Sequence, residues 1–331
     1  MHAPGRDRRG SAGVAGNGES GRPDRAARTG ARTRPALSRW TPTALLTIAS
    51  PGSPATRSRR NTSSKTGLRM HYVDEGAGDP VLLLHGEPTW AYLYRKMIPA
   101  LAEVARTVAP DYLGFGRSDK PTRIEDYSYD LHYGSIERLA DELDLRHTTV
   151  VVQDWGGPIG LRLAVEHPER VSRLVILNTG VGAGRAPSEE WLRFRELVRR
   201  VGTDLIPGRL IRISCVSALD DEVVEAYDAP FPVPESKAGV LAFPELVPTE
   251  LEHPSAAKML EVRAALERWE RPALVLFSDS DPIFSTVAAE HIASRIPGAG
   301  PAEIVAGAGH FLQEEKGEEI AARIVRFLAE T

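Results

Sequence analysis

Val150-Val151-Val152-Gln153-Asp154-Trp155-Gly156-Gly157 is the stretch on which the fold turns. Three β-branched residues in a row make a strand that is apolar on both faces, as a strand buried inside a parallel sheet must be. The two glycines then open a helix, so a sharp turn lies between strand and helix. Such a turn lifts one side chain clear of the sheet's carboxyl edge and tolerates only small neighbours. The apex residue is Asp154, where many proteins with this turn carry serine. Its structural alternative is an ordinary helix N-cap aspartate.

Working outward, short apolar runs alternate with helix-length amphipathic segments from Leu68 onward, the pattern of a mostly parallel sheet with crossover helices. Strands are expected at Leu68 to Val73, Val81 to Leu84, Thr107 to Pro110, Thr149 to Val152, Leu174 to Leu177, Ala273 to Phe277 and Glu303 to Val305. Helices are expected at Tyr92 to Val104, Tyr133 to Leu143, Pro158 to Glu166, Ala256 to Trp269, Ala288 to Arg295 and Glu318 to Ala329. One interval, about Gly180 to Pro254, breaks the alternation with helical patterns at Glu189 to Arg200 and Asp220 to Ala226 and repeated prolines. An insertion of that kind reads as a cap over the carboxyl ends of the strands, where ligands bind in open α/β sheets. The expected organisation is therefore a core at residues 65–179 and 255–331 and a helical cap at 180–254.

Two further loops follow predicted strands. Ala306-Gly307-Ala308-Gly309-His310-Phe311 sets a histidine among small residues before the last helix, and Phe277-Ser278-Asp279-Ser280-Asp281-Pro282 offers Asp281 to orient it, with Asp279 as the competing carboxylate. Taken singly, a loop histidine is most often a surface group. Together the order nucleophile, acid, histidine is that of the triad on the α/β-hydrolase fold. Leu84-His85-Gly86-Glu87-Pro88-Thr89-Trp90 follows an early strand, where this fold supplies one backbone N–H of the oxyanion hole, so the expected donors are the amides of Glu87 and Trp155. Asp111 and Asp119, in the run Pro110 to Asp119, are read as structural.

An aspartate at the apex changes the chemistry. A carboxylate is already anionic at neutral pH and can displace a good leaving group from a saturated carbon, giving an ester. Water activated by His310 then attacks that ester, with Asp281 holding the imidazole. A departing halide would suit a neutral donor in an apolar pocket, and Trp155, next to the nucleophile, offers its indole N–H. A second donor is expected from the cap, where Trp191 is the only tryptophan; its rival role is in an apolar stripe with Phe194, Leu197 and Val198.

The residues that carry this chemistry resemble the haloalkane dehalogenases, and more narrowly their type I branch. The resemblance rests on His85 to Trp90, Tyr92-Leu93-Tyr94-Arg95, Gly114 to Pro121, Val152 to Gly157, Ala229-Pro230-Phe231-Pro232 and Gly309-His310-Phe311, and runs from about Gly67 to the C-terminus. It implies a monomeric enzyme without cofactor or metal that converts 1-haloalkanes to alcohol, halide and a proton. By similarity Asp154, Asp281 and His310 form the triad, Trp155 binds halide, and a second cap tryptophan, matched by Trp191, assists. Epoxide hydrolases resemble this chain in the nucleophile turn, but need two cap tyrosines, and the insertion holds only Tyr227. A noncatalytic receptor on the same scaffold would have no need of an intact triad and oxyanion loop.

Composition sets the remaining bounds. The net charge of −4 hides twelve arginines and no lysine in the first 64 residues, against Asp7, Glu19 and Asp24. The rest is acidic, which speaks against a nucleic-acid partner. Residues 1–64 are rich in Gly, Ala, Ser, Pro, Thr and Arg and are expected to be a disordered tail. Part of that stretch is expected to lie outside the natural reading frame, which would cost the sheet its first edge strand. No segment is apolar enough to span a membrane, and the lone Cys215 reads as a buried thiol in a reducing compartment, so cytoplasm is expected.

Overall fold

The computed structural model describes residues 58–62, 67–184 and 186–331. Its centre is a sheet of eight strands: β1 (Ser58–Thr62), β2 (Arg69–Glu75), β3 (Pro80–Leu84), β4 (Arg106–Pro110), β5 (Thr148–Gln153), β6 (Val171–Leu177), β7 (Ala273–Ser278) and β8 (Glu303–Val305). They lie in the order β1-β2-β4-β3-β5-β6-β7-β8, antiparallel at β1 and β2 and parallel from β4 to β8. All seven expected strands are present, each within three residues of its expected ends.

Side chains along each strand alternate between two apolar layers. Leu82, Leu84, Val150, Val152, Leu174 and Ile176 face one layer, while Val81, Leu83, Val151, Val175 and Leu177 face the other. All of these are buried to 1% exposure or less. Each such side chain stabilises the fold by about 1.5–3 kcal/mol relative to exposure. That is why the central strands read as unbroken apolar runs. The helices covering them are α1 (Ile98–Ala102), α2 (Tyr129–Glu142), α3 (Gly156–Glu166), α8 (Ala256–Leu266), α9 (Thr286–Arg295) and α10 (Leu312–Glu330). Between β6 and α8 the chain forms α4 (Glu189–Val201), α5 (Pro207–Ile213), α6 (Asp221–Asp228) and α7 (Ala238–Ala242), the helical insertion expected there.

Three expectations need correction. Ser58–Thr62 lies in the stretch read as tail, yet it pairs antiparallel with β2, from Ser58 opposite Val73 to Thr62 opposite Arg69, and supplies the edge strand thought to be missing. The expectations for residues 1–57 and 63–66 lie outside the described residues. Tyr92 to Val104 is not one helix: a 3-10 turn at Ala91–Tyr94 is followed by α1, because Pro99 cannot donate to the preceding turn and sits instead near a helix start. The last helix starts six residues early, at Leu312, and is interrupted by non-helical Lys316.

Candidate active site

Asp154 sits at the apex of the turn between β5 and α3 with φ of 49°, the left-handed region that asparagine and aspartate enter more readily than other non-glycine residues. The strained turn is held from three directions. Its N–H donates to the Asn178 carbonyl (3.0 Å), while its own carbonyl accepts from the Gly157 N–H (2.9 Å) and the Thr179 hydroxyl (2.5 Å). Small neighbours are obligatory. A Cβ at Gly86 would overlap Asp154 Cβ and Oδ1, and one at Gly157 would overlap the Thr179 side chain. The N-cap reading of Asp154 gives way to this geometry: α3 is capped by Trp155, without a side-chain hydrogen bond.

The two carboxylate oxygens have different surroundings. The Glu87 backbone N–H donates to Oδ1 at 2.9 Å, and the Trp155 backbone N–H also donates to this carboxylate. Oδ2 instead lies 3.8 Å from His310 Nε2. On its other side, His310 Nδ1 is 2.8 Å from Asp281 Oδ2. Asp279, the competing carboxylate, is spent on the Gly307 N–H at 3.0 Å, so geometry selects Asp281. Asp281 also accepts from the Ile283 N–H at 2.7 Å. The three residues read from three separate loops thus converge.

Burial and charge act against each other here. Burial drives the Asp154 carboxyl above its ordinary range, while His310 and the Trp155 and Glu87 amides favour its charged form. Burial would also suppress charge on His310, but Asp281 and then Asp154 carry its imidazole up to about 9. The Glu87 side chain, buried close to Asp154, is pushed well above the carboxylate range by burial and by that neighbouring charge, and one of its oxygens has no partner.

The loop bearing His310 is fastened by residues that sequence reasoning passed over. Asn178 Nδ2 donates to the carbonyls of Gly309 (3.1 Å) and His310 (3.2 Å), and the Ser278 hydroxyl donates to Gly309 O at 2.7 Å. From the insertion, Ser214 O accepts the His310 N–H at 2.8 Å. Glu315 accepts from the Gly309 N–H (2.6 Å) and the Ser217 N–H (2.5 Å), joining the loop to the segment after α5. Phe284 stacks on the imidazole at 5.9 Å and Phe311 meets it edge-on at 4.7 Å.

The two expected halide donors are placed differently. Trp155 is buried, its ring edge-on to Phe243 of the insertion at 5.0 Å. Trp191, in the first turn of α4, is partly exposed with the Arg195 guanidinium over its ring at 4.7 Å. No ring contact joins Trp155 and Trp191 among the described residues. Phe194 and Leu197 pack against the main core and Val198 is buried, while Trp191, which the stripe reading set beside them, is partly exposed. Cys215 is only partly buried, with its thiol pushed up by burial and by Glu315, which leaves it a poor nucleophile. Asp111 and Asp119 are structural: Asp111 accepts from His71 and the Ala91 and Arg117 amides, and Asp119 pairs with Arg69.

With this geometry in hand, comparison with known proteins places the chain. A haloalkane dehalogenase of Mycobacterium marinum is 44% identical over 262 residues, covering 78% of this chain and 88% of its own. The chain belongs to the haloalkane dehalogenase family. A second haloalkane dehalogenase, from Psychrobacter cryohalolentis, is 43% identical over 80% of this chain and 89% of its own. A cis-3-alkyl-4-alkyloxetan-2-one decarboxylase of Shewanella oneidensis is a more distant relative, 32% identical over 82% of this chain and 89% of its own. Residues 79–203 match the sequence profile described as the alpha/beta hydrolase fold. Among solved structures, the tetrameric haloalkane dehalogenase DpaA of Paraglaciecola agarilytica superposes with a TM-score of 0.77 at 32% identity, covering 81% of this chain and 92% of that one.

Proposed function

We propose that this enzyme hydrolyses the carbon–halide bond of small 1-haloalkanes through an ester on Asp154. The observation that carries the reading is the split environment of one carboxylate: Oδ1 rests on the Glu87 amide, while Oδ2 faces His310. Oδ2 is then the attacking atom. It forms a bond to the carbon bearing halogen, the carbon–halogen bond breaks, and halide leaves with the bonding pair. Trp155 supplies an indole N–H to the departing anion. Trp191 would have to exchange Arg195 for the site interior to join it.

The ester carbonyl oxygen is then Oδ1, already held by the Glu87 amide, and the Trp155 amide, which donates to the same carboxylate, is the second donor for a tetrahedral oxyanion. Water attacks the ester carbon and gives a proton to His310 Nε2, while Asp281 stabilises the imidazolium. Collapse breaks the bond between the carbonyl carbon and the alkoxy oxygen, the alkoxide takes the proton held by His310, and the carboxylic acid left at Asp154 loses the second proton of the water, for a net release of one proton per turnover. All the side chains invoked come from one chain, which fits action as a monomer. No helix among the described residues is long and apolar enough to cross a membrane. A cytoplasmic enzyme is our reading, supported by the lone cysteine.

An epoxide hydrolase is disfavoured by the engagement of Tyr227, which is wholly buried with its hydroxyl donating to Glu314 Oε2 at 2.6 Å. The deciding experiment incubates the His310→Phe variant with 1-bromobutane and maps adducts by peptide mass spectrometry. A butyl group on Asp154 is expected, with halide released in stoichiometric amount. Folded protein that stays unalkylated, or carries the adduct elsewhere, refutes the assignment.

A further inference from the structure

His310 Nε2 has a second neighbour, nearer than the nucleophile: the amide nitrogen of Gln153, at 3.2 Å against 3.8 Å for Asp154 Oδ2. Gln153 closes β5, one residue before the nucleophile, and is wholly buried. The same nitrogen lies 3.2 Å from the backbone carbonyl oxygen of His310. A carbonyl oxygen can only accept, so this contact fixes which end of the amide faces the histidine. Reversing the amide would set oxygen against oxygen. One N–H therefore serves the carbonyl, and the other is directed at Nε2, even though the amide oxygen is left buried without a partner.

That contact favours one charge state of the ring. Nδ1 faces Asp281 and carries the proton, so a neutral ring presents its lone pair at Nε2, where the Gln153 N–H can be received. An imidazolium would set N–H against N–H. The other groups around the ring act differently. Asp281 from the loop after β7 and Asp154 from the β5 turn both favour the imidazolium. Glu87, from the loop after β3, is pushed toward its neutral form by burial and by the Asp154 charge. Glu314 of α10 is paired with Arg95, and Glu315 is turned to the Gly309 and Ser217 amides. Phe284, Phe311, Asn178, Ser278 and the Ser214 carbonyl bring no charge. Gln153 is thus the group set against two anions.

We propose that Gln153 is a positioning residue for the hydrolytic half of the reaction: its amide N–H, oriented by the His310 carbonyl, favours an unprotonated Nε2, whose lone pair water takes over from the amide once Asp154 has become an ester. The inference rests on the ester mechanism given above. Before alkylation the Asp154 charge opposes Gln153. Alkylation neutralises that carboxylate, and the balance passes to the base form at the step that needs a base.

Single-turnover measurements with 1-bromobutane test this, using Gln153→Met, similar in size but without a donor, and Gln153→Glu, which adds an acceptor. Rapid quench and intact-protein mass spectrometry follow formation and decay of the adduct. In Gln153→Met the alkylation rate should change far less than ester hydrolysis, which falls about tenfold at neutral pH as a more basic His310 stays protonated. The acid limb of the hydrolysis rate moves to higher pH, so the two enzymes converge in alkaline solution; Gln153→Glu moves it further. Unchanged hydrolysis, or a loss equal at every pH, overturns the proposal. Should Gln153→Met fail to fold, nitrogen NMR of the Asp154→Asn variant decides: a neutral Nδ1–H ring at neutral pH supports it and an imidazolium overturns it. Absence of adduct in every variant, His310→Phe included, would count against displacement by Asp154 itself.

Discussion

Replacing Glu314 by glutamine is the sharpest test of how the helical insertion is fastened to the sheet. Glu314, in the first turn of α10, is 1% exposed and accepts from both Arg95 nitrogens (2.5 and 2.6 Å) and from Tyr227 of α6 (2.6 Å), with the Lys96 ammonium at 3.2 Å. Burial opposes the Glu314 charge, but Arg95, Tyr227 and Lys96 hold its carboxyl below the ordinary range. Glu314→Gln leaves the Arg95 guanidinium, 19% exposed, with no anion to balance it. Breaking one side of a buried pair costs about 3–5 kcal/mol. At about 2–4 °C per kcal/mol for a folded unit of this size, melting should fall by roughly 6–20 °C. Tyr227→Phe removes one hydrogen bond to a charged group and should cost about 1.5–3 kcal/mol. Removing both charges, in Arg95→Met with Glu314→Met, should cost less than Glu314→Gln alone. Because the folded-state carboxyl is more acidic than the unfolded one, the stabilisation is present above the ordinary glutamate range. It is lost as pH falls through the lowered value, so wild type and Glu314→Gln should converge in acid. Urea unfolding across pH reads all three variants. A Glu314→Gln protein within about 1 kcal/mol of wild type, or a double variant less stable than the single, refutes the argument.

Asp154→Asn should abolish halide release and yet raise the melting temperature at neutral pH. The aspartate's raised folded-state pKa means its ionisation favours the unfolded chain, and asparagine tolerates the same left-handed backbone; an unchanged or lower melting temperature contradicts this. Bromide should quench the fluorescence of wild type and of Trp191→Phe to similar extents, and that of Trp155→Phe much less. Equal loss in both variants would place Trp191 beside the halide. Gly86→Ala, with no room for a methyl group beside Asp154, should cut ester formation by at least about a hundredfold, as misplacement by about 1 Å does. Near-normal single-turnover alkylation would show that the loop can yield.

What could be read from the sequence was whatever local pattern determines. The central strands are apolar on both faces, so their residues declare burial without reference to any partner, and the loops after them inherit their position from that. Ser58–Thr62, Ser-Arg-Arg-Asn-Thr, shows no apolar alternation, because an edge strand is specified chiefly by backbone pairing with its neighbour. Pro207 looked like punctuation but opens α5, a position where its missing N–H costs nothing. Asn178, Gln153, Glu314 and Glu315 were missed as site residues for one reason. Each is a buried or half-buried polar group whose partner lies far along the chain, and no spacing rule connects Gln153 with His310 or Glu314 with Tyr227. The strongest available signal was Gln313-Glu314-Glu315, a polar run where an amphipathic helix should begin. Trp191 became a candidate as the only tryptophan of the insertion; it stands in the first turn of α4 under the Arg195 guanidinium, and composition does not determine which way a helix faces.

The charges of the site explain why one imidazole can serve a reaction that wants it in two states. Three carboxyl groups, Asp154, Asp281 and Glu87, lie around or near His310, and burial penalises charge on most of this group. Burial pushes Glu87 toward its neutral form, and the charges that act on His310 are those of Asp281 and Asp154. While Asp154 is free, its charge and that of Asp281 hold His310 protonated, and the imidazolium in turn keeps Asp154 anionic at a depth where burial would neutralise it. The resting pair is therefore a nucleophile stabilised by a base that is not yet a base. On the proposed mechanism, forming the ester would remove a charge that raises His310, so ring basicity would fall at the moment a proton acceptor is required. Regenerating Asp154 would restore its charge and with it the imidazolium of the resting pair. On this account the 3.8 Å between Oδ2 and Nε2 couples the charge of the base to the half-reaction in progress. A base placed farther from the nucleophile would remain able to take protons but would no longer sense which half of the cycle it is in.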